Sequence, residues 1–201
     1  MMSGHSLDQK VSFMREIFKE LDEDAAAFQR ACGFECLKAC GHCCENPLIE
    51  ATELEMLPLA AVLVKQSKAG DFYALAEKQD FKGRCIFFQP ELKPGVPGHC
   101  GVYEYRPLIC WLFGTSGNKD KSGHMRLVVC GLIKRAQPER FEDAQAAALA
   151  GRLPVPMMAD YAMRAMAVNA EFGRESFPVN TAFKRAVDRV SLLEGFRGED
   201  R

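Results

Sequence analysis

The sequence predicts an α+β fold: a mostly helical single domain with a small antiparallel hairpin or sheet and a cysteine-rich metal-binding core. Three observations lead there. Apolar residues recur at three- and four-residue steps near both ends of the chain, which is the helical period. Between them, short β-prone runs flank a Pro/Gly-rich loop. All nine cysteines lie between residues 32 and 130.

The first element is an amphipathic helix from Leu7 to Ala31, in which Val11, Met14, Ile17, Phe18, Leu21, Ala25 and Phe28 share one face. Gly33 ends it and hands the chain to the first cysteines. Thr52-Glu53-Leu54-Glu55 has the form of a capping box, so a helix is expected from there to about Ser67, with Pro58 in its second turn. A short helix after Gly70 covers Phe72 to Lys78. Arg84 to Phe88 and His99 to Tyr103 read as two strands of a hairpin joined by the loop Pro90 to Gly98. A third strand, Met125 to Cys130, is expected after a polar loop from Thr115 to Gly123. Beyond Pro138 the chain turns Ala-rich, with helices at about 139–150, 156–172 and 179–194. With no repeat, low-complexity tract or long linker, one domain is expected over residues 1–195. Its metal-binding core spans 32–133 and its helical part 138–194, with 196–201 as a flexible tail.

At 201 residues the chain can bury a core without relying on metal alone. Its 26 basic and 27 acidic residues give a formal charge of -1, so no broad positive field recruits nucleic acid. The first residues lack a basic segment followed by an apolar one, so no secretory signal is expected. The most apolar stretch, Leu57 to Val64, contains Pro58 and falls short of the roughly 18 residues a bilayer requires. A cytoplasmic protein without membrane partners is therefore expected. In that reducing compartment nine cysteines point to metal ligation or redox chemistry in place of a disulfide framework.

Cys36, Cys40, Cys43 and Cys44 form the pattern C-x-x-x-C-x-x-C-C. The Cys40-Gly41-His42-Cys43 step brings two sulfurs onto one cation, because a tight turn between them also aims backbone N–H groups at the thiolates. Adjacent side chains diverge, so the Cys43-Cys44 doublet favours a multinuclear or clustered site. Cys85, Cys100, Cys110 and Cys130 complete a pool of eight candidate ligands, with Cys32 set aside as the odd thiol. Eight cysteines satisfy two four-cysteine sites, or one four-iron cluster with four thiols left over. The cofactor is accordingly iron, as an iron-sulfur cluster, or zinc. Small buried thiols also fill cores, a role open to Cys85 and Cys130. His42 and His99 are lesser candidates beside the cysteines. Arg84, Arg106 and Arg126 are candidate positive neighbours for thiolate charge, the last residue class that such a site requires.

Three other readings compete with simple chelation. Cys36, Cys40 and Cys43 fit the three-cysteine spacing of radical S-adenosylmethionine enzymes, although the strand-helix repeats of that barrel are missing. A zinc-structured module could present the C-terminal helices to a protein partner. Reversible thiol oxidation is the fourth reading. No Ser-His-Asp order, phosphate-cradling glycine loop or paired carboxylates stand out, and no catalytic residue is nominated.

Taken together, FECLKACGHCC, RCIFF and HCGVYEYRPLIC, followed by Cys130 before Gly131, resemble the YkgJ-type CxxxCxxCC cysteine-cluster family. The likeness covers roughly residues 34 to 133. It implies a zinc- or iron-chelating domain with the cysteines as ligands, and supplies no reaction. A lysine methylase acting on flagellin is similar in the cluster region, which implies an enzyme only as an alternative. Family members commonly carry Arg after the cysteine of the RPxxC segment, where this chain has Trp111.

Overall fold

The computed structural model describes residues 5–33, 40–78, 83–90 and 98–199, with side chains as far as Leu193. Cys36 and most of the loop between Pro90 and Gly98 lie outside the described residues. The architecture is mostly helical with small antiparallel sheets, as the sequence predicts. The packing divides the chain into two compact units. Unit 1 comprises Met1–Arg15, Ala39–Pro107 and Ala165–Arg201; unit 2 comprises Glu16–Lys38 and Leu108–Arg164.

Helix α1 (Leu7–Cys32) begins in unit 1 and continues into unit 2. Met14, Ile17, Phe18, Leu21, Ala25 and Phe28 are all buried, as their spacing requires. Gly33 stops the helix in the left-handed region at φ 69°, its N–H bonded to the Gln29 carbonyl at 2.9 Å.

In unit 1, strand β1 (Glu50–Thr52) leads into α2 (Glu53–Lys65). The capping box is present: Thr52 Oγ1 accepts from the Glu55 N–H at 3.2 Å, and the Thr52 N–H donates to Glu55 Oε1 at 3.1 Å. Every residue from Glu53 to Ala60 is buried, so α2 is a central helix enclosed on all sides. Helix α3 (Ala69–Lys78) follows. The last helix, α9 (Val179–Glu199), lays Val179, Ala182, Phe183, Ala186, Val187 and Val190 along one buried stripe, and α2 is its principal neighbour. It extends past residue 194, where the apolar period ends. Strand β6 (Ser176–Pro178) pairs antiparallel with β1, matching Glu50 with Pro178 and Thr52 with Ser176. That sheet was not legible in the sequence, because three-residue strands carry almost no alternation.

The predicted hairpin is much shorter than expected: β2 (Phe88–Gln89) pairs with β3 (His99–Cys100). Arg84 to Phe87 is not strand. Ile86 and Phe87 are both buried, and successive strand residues would face opposite sides. Phe87 instead packs in an aromatic group, edge-on to Phe183 at 5.0 Å and tilted against Phe72 at 5.2 Å. Tyr103–Tyr105 forms a 3-10 turn.

In unit 2, α4 (Leu108–Leu112) precedes β4 (Ser116–Lys119), which lies within the segment read as a polar loop. Strand β5 (Met125–Val128) pairs with it antiparallel, Ser116 opposite Val128. Helices α5 (Gly131–Ala136) and α6 (Pro138–Leu149) follow, and Phe28, Leu127, Val129, Ile133, Ala144 and Ala148 form one apolar cluster. The outer edge of β5 is held by Gln145 of α6: its Oε1 accepts from the Leu127 N–H at 3.0 Å, and its Nε2 donates to the Met125 carbonyl at 2.9 Å. The predicted helix over 156–172 is two pieces, α7 (Met158–Val168), which begins in unit 2 and continues into unit 1, and α8 (Ala170–Gly173) in unit 1. Asn169 breaks it, because its side chain caps the second piece through the Phe172 N–H at 2.9 Å.

One buried charge in unit 1 stands out. Glu53, 3 % exposed, meets Arg189 Nε at 2.7 Å and Arg185 Nε at 3.3 Å across the α2–α9 contact. Charged hydrogen bonds of this kind offset the desolvation cost of burying the carboxylate. Glu53→Ala is expected to destabilise the protein by about 2 kcal/mol, read as a lower urea midpoint at unchanged slope.

Candidate metal centre

The cysteine segment becomes describable at Cys40. Residues His42–Glu45 form a 3-10 turn, closed by the Cys44 N–H bonded to the Gly41 carbonyl at 2.8 Å. Cys40, Cys43 and Cys44 are all half-buried. A side chain at Gly41 has no room. A Cβ built there would sit 2.5 Å from the Gly98 carbonyl oxygen and would also overlap the Phe88 ring. Gly98 faces the same ring from its own side, where a Cβ would lie 2.7 Å from the Gln89 carbonyl oxygen. Two glycines thus let the knuckle backbone approach the β2–β3 hairpin closely.

Cys85 is fixed by its backbone. Its N–H donates to the Cys44 carbonyl at 3.1 Å, and its carbonyl accepts from the Phe88 N–H at 3.0 Å. The register that sets Phe88 opposite Cys100 then places the third cysteine beside the first two. Residues separated widely in sequence therefore bring Cys44, Cys85 and Cys100 together within unit 1.

The Cys44 thiol lies within interacting reach of both the Cys85 and the Cys100 thiols. The bond from Cys100 favours the Cys44 thiolate. The bond from Cys44 to Cys85, burial, and the charges of Cys85 and Cys43 outweigh it, so the Cys44 thiol is pushed up from 9.0 to about 12. Cys100 is driven above the ordinary thiol range, first by its bond to Cys44 and then by burial. Two groups oppose that rise, the Val102 N–H bonded to the Cys100 sulfur and the positive charge of Arg106.

The donor set fits zinc or iron by its chemistry. Clustered sulfurs with a backbone N–H and a guanidinium nearby suit a thiophilic cation, which would replace the protons that now hold the sulfurs together. Among the described residues no group of three His, Cys, Asp or Glu side chains is already spaced to close around an ion.

The remaining candidates are placed as follows. Cys110, on α4, and Cys130 belong to unit 2. The Cys130 sulfur accepts from the Leu132 N–H at 3.4 Å and lies against the apolar cluster around Phe28. Cys32 packs on the same cluster and donates to the Gln29 carbonyl at 3.6 Å. His42 pairs with Glu45 at 3.4 Å, and His99 is exposed. Of the three arginines, Arg126 pairs with Asp120 at 3.2 Å and Arg84 lies over the Phe88 ring. Arg106 is the one whose charge reaches Cys100; it stacks on Tyr103 at 3.4 Å from the ring centre and donates to the Tyr103 carbonyl at 3.0 Å.

Sequence reading missed the residues that hold the cysteines in place: Gly98, Phe88 and Asn180. Asn180 accepts from the Ile86 N–H at 3.0 Å and donates to the Arg84 carbonyl at 2.9 Å. Nothing in the local pattern distinguishes it from an ordinary first-turn asparagine.

Two outcomes are expected. Gly41→Ala forces the knuckle off the hairpin and lowers stability by about 2 kcal/mol, measured by denaturant titration of the metal-free protein. The second concerns pH. Cys44 keeps its proton when folded and loses it near 9 when unfolded, so its contribution is full below pH 9 and vanishes as pH rises toward 12. Metal-free wild type is expected to lose stability across that window more steeply than Cys44→Ser, compared by thermal melts at fixed pH.

Residues 35–131 match the family model CxxCxxCC, described as "Putative zinc- or iron-chelating domain". No curated protein and no solved structure matches the chain. The matched segment opens one residue before the first cysteine of the knuckle spacing and closes one residue after Cys130, so it contains all eight candidate ligands and excludes Cys32. Over residues 35–131 the chain is therefore similar to the CxxCxxCC family.

Proposed function

We propose that this protein is a thiolate chelator of zinc or iron, with its centre built in unit 1 from Cys44, Cys85 and Cys100 and the knuckle cysteines Cys40 and Cys43. Cys36 completes the spacing of that knuckle. The observation that carries the reading is the meeting of three cysteines from three separate segments: the Cys85 N–H bonds to the Cys44 carbonyl at 3.1 Å, Cys100 pairs opposite Phe88, and the Cys44 thiol interacts with both of the others.

The same observation weighs against a radical S-adenosylmethionine enzyme. Such a centre uses Cys36, Cys40 and Cys43 and leaves Cys44 without a role, whereas the Cys44 thiol interacts with both Cys85 and Cys100. Among the described residues no helix is long and apolar enough to cross a membrane. A reducing, cytoplasmic setting keeps the thiols available and is part of the proposal.

Anoxic purification followed by zinc, iron and acid-labile sulfide analysis tests it. Wild type is expected to retain stoichiometric metal, and Cys44→Ser with Cys100→Ser to lose most of it. A brown protein with labile sulfide assigns an iron-sulfur cluster, and a colourless one assigns zinc. Wild type free of metal, or a double variant as fully loaded as wild type, overturns the reading.

A further inference from the structure

Every backbone hydrogen-bonding group around Cys85 is engaged. Its own N–H and carbonyl bond to Cys44 and Phe88, and the groups on either side, the Arg84 carbonyl and the Ile86 N–H, bond to Asn180. Asn180 reaches them from the first turn of α9, beyond the family segment that ends at residue 131. Only a primary amide presents a donor and an acceptor side by side, so one side chain grips both peptides that flank the cysteine. Its own position is fixed twice over. The β1–β6 pairing ends at Pro178, and the Val179 N–H donates to the Ile49 carbonyl at 3.0 Å. Ile49 lies just after the knuckle cysteines, so one short stretch ties both the knuckle exit and the Asn180 clamp. A small cavity of about 80 Å³ beside the clamp is lined by Cys85, Asn180, Thr181 and Asn46, leaving space for the loop to shift once the amide is gone.

We propose that Asn180 is a positioning residue that sets the direction of the Cys85 thiol toward Cys44 and Cys100, making the C-terminal helix an integral part of the metal centre. The inference rests on the chelation reading for its consequence in metal binding, and on hydrogen bonds alone for the orientation of the thiol. Groups that orient a ligand commonly control affinity by about tenfold to a hundredfold. The amide grips the backbone rather than the sulfur, so its loss rotates the thiol without removing it.

The test uses the full chain with Asn180→Ala, and Asn180→Ser as a milder variant. Metal-free protein is alkylated with iodoacetamide at neutral pH and the rate at each cysteine is read by mass spectrometry. Loaded protein is formed with Co2+, whose sulfur charge-transfer band reports the number of bound thiolates. The expected result is a severalfold rise in alkylation at Cys85 relative to Cys40 in the same molecule. Co2+ affinity falls about tenfold or more, and the charge-transfer intensity per bound ion drops. Unchanged Cys85 reactivity and an unchanged spectrum overturn the proposal, as does a uniform rise at all cysteines in both variants, which marks loss of fold instead of loss of the clamp. If wild type takes no Co2+ while Cys85 is selectively unmasked, the positioning role stands and the chelation reading falls.

Discussion

The packing of α9 against α2 is the constraint on which the cysteine geometry depends. Helix α2 is buried on all sides, and α9 covers it with a stripe of Val, Ala and Phe; each large side chain so buried contributes about 1.5–3 kcal/mol before the entropy of ordering is subtracted. Glu53 and its two arginines fix the azimuth of that contact, since a buried carboxylate tolerates few arrangements. From this base α9 sends Phe183 to the aromatic group with Phe87, and Asn180 to the peptides around Cys85. The thiols are thus located by an apolar interface that contains none of them.

Hydrogen bonding and ionisation then decide what the thiols are. Cys44 and Cys100 hold their protons above the ordinary thiol range, because of their bonds to neighbouring thiols and their burial. Arg106 and the Val102 N–H soften that rise at Cys100 without cancelling it. On the chelation reading, binding of a cation would release these protons.

The sequence reading succeeded where a pattern is local or long. The α1 periodicity, the Thr52–Glu55 capping box and the Ala-rich helices are all present, because 3.6-residue spacing and cap chemistry act within a few residues of themselves. The cysteine spacing identified the family segment for the same reason. What escaped was non-local. The β1–β6 sheet joins segments more than a hundred residues apart, and RCIFF, strand-like in composition, is bent by the demands of Phe87 and Asn180. Asn169 cut a helix that periodicity alone would have continued. At the site, the cysteines and the tight turn at Gly41 are legible directly, whereas Gly98 and Asn180, which hold them there, have no signature that one sequence reveals.

The Gln145 amide in unit 2 has a consequence for solubility. A strand with an unpaired edge is a template on which another chain can add, and a two-stranded sheet offers such edges readily. By occupying the Leu127 N–H and the Met125 carbonyl, Gln145 fills the outward-facing bonding positions in the middle of β5 with a side chain. An incoming strand would have to displace an amide anchored on α6, so this hairpin is protected from edge-to-edge aggregation on that side.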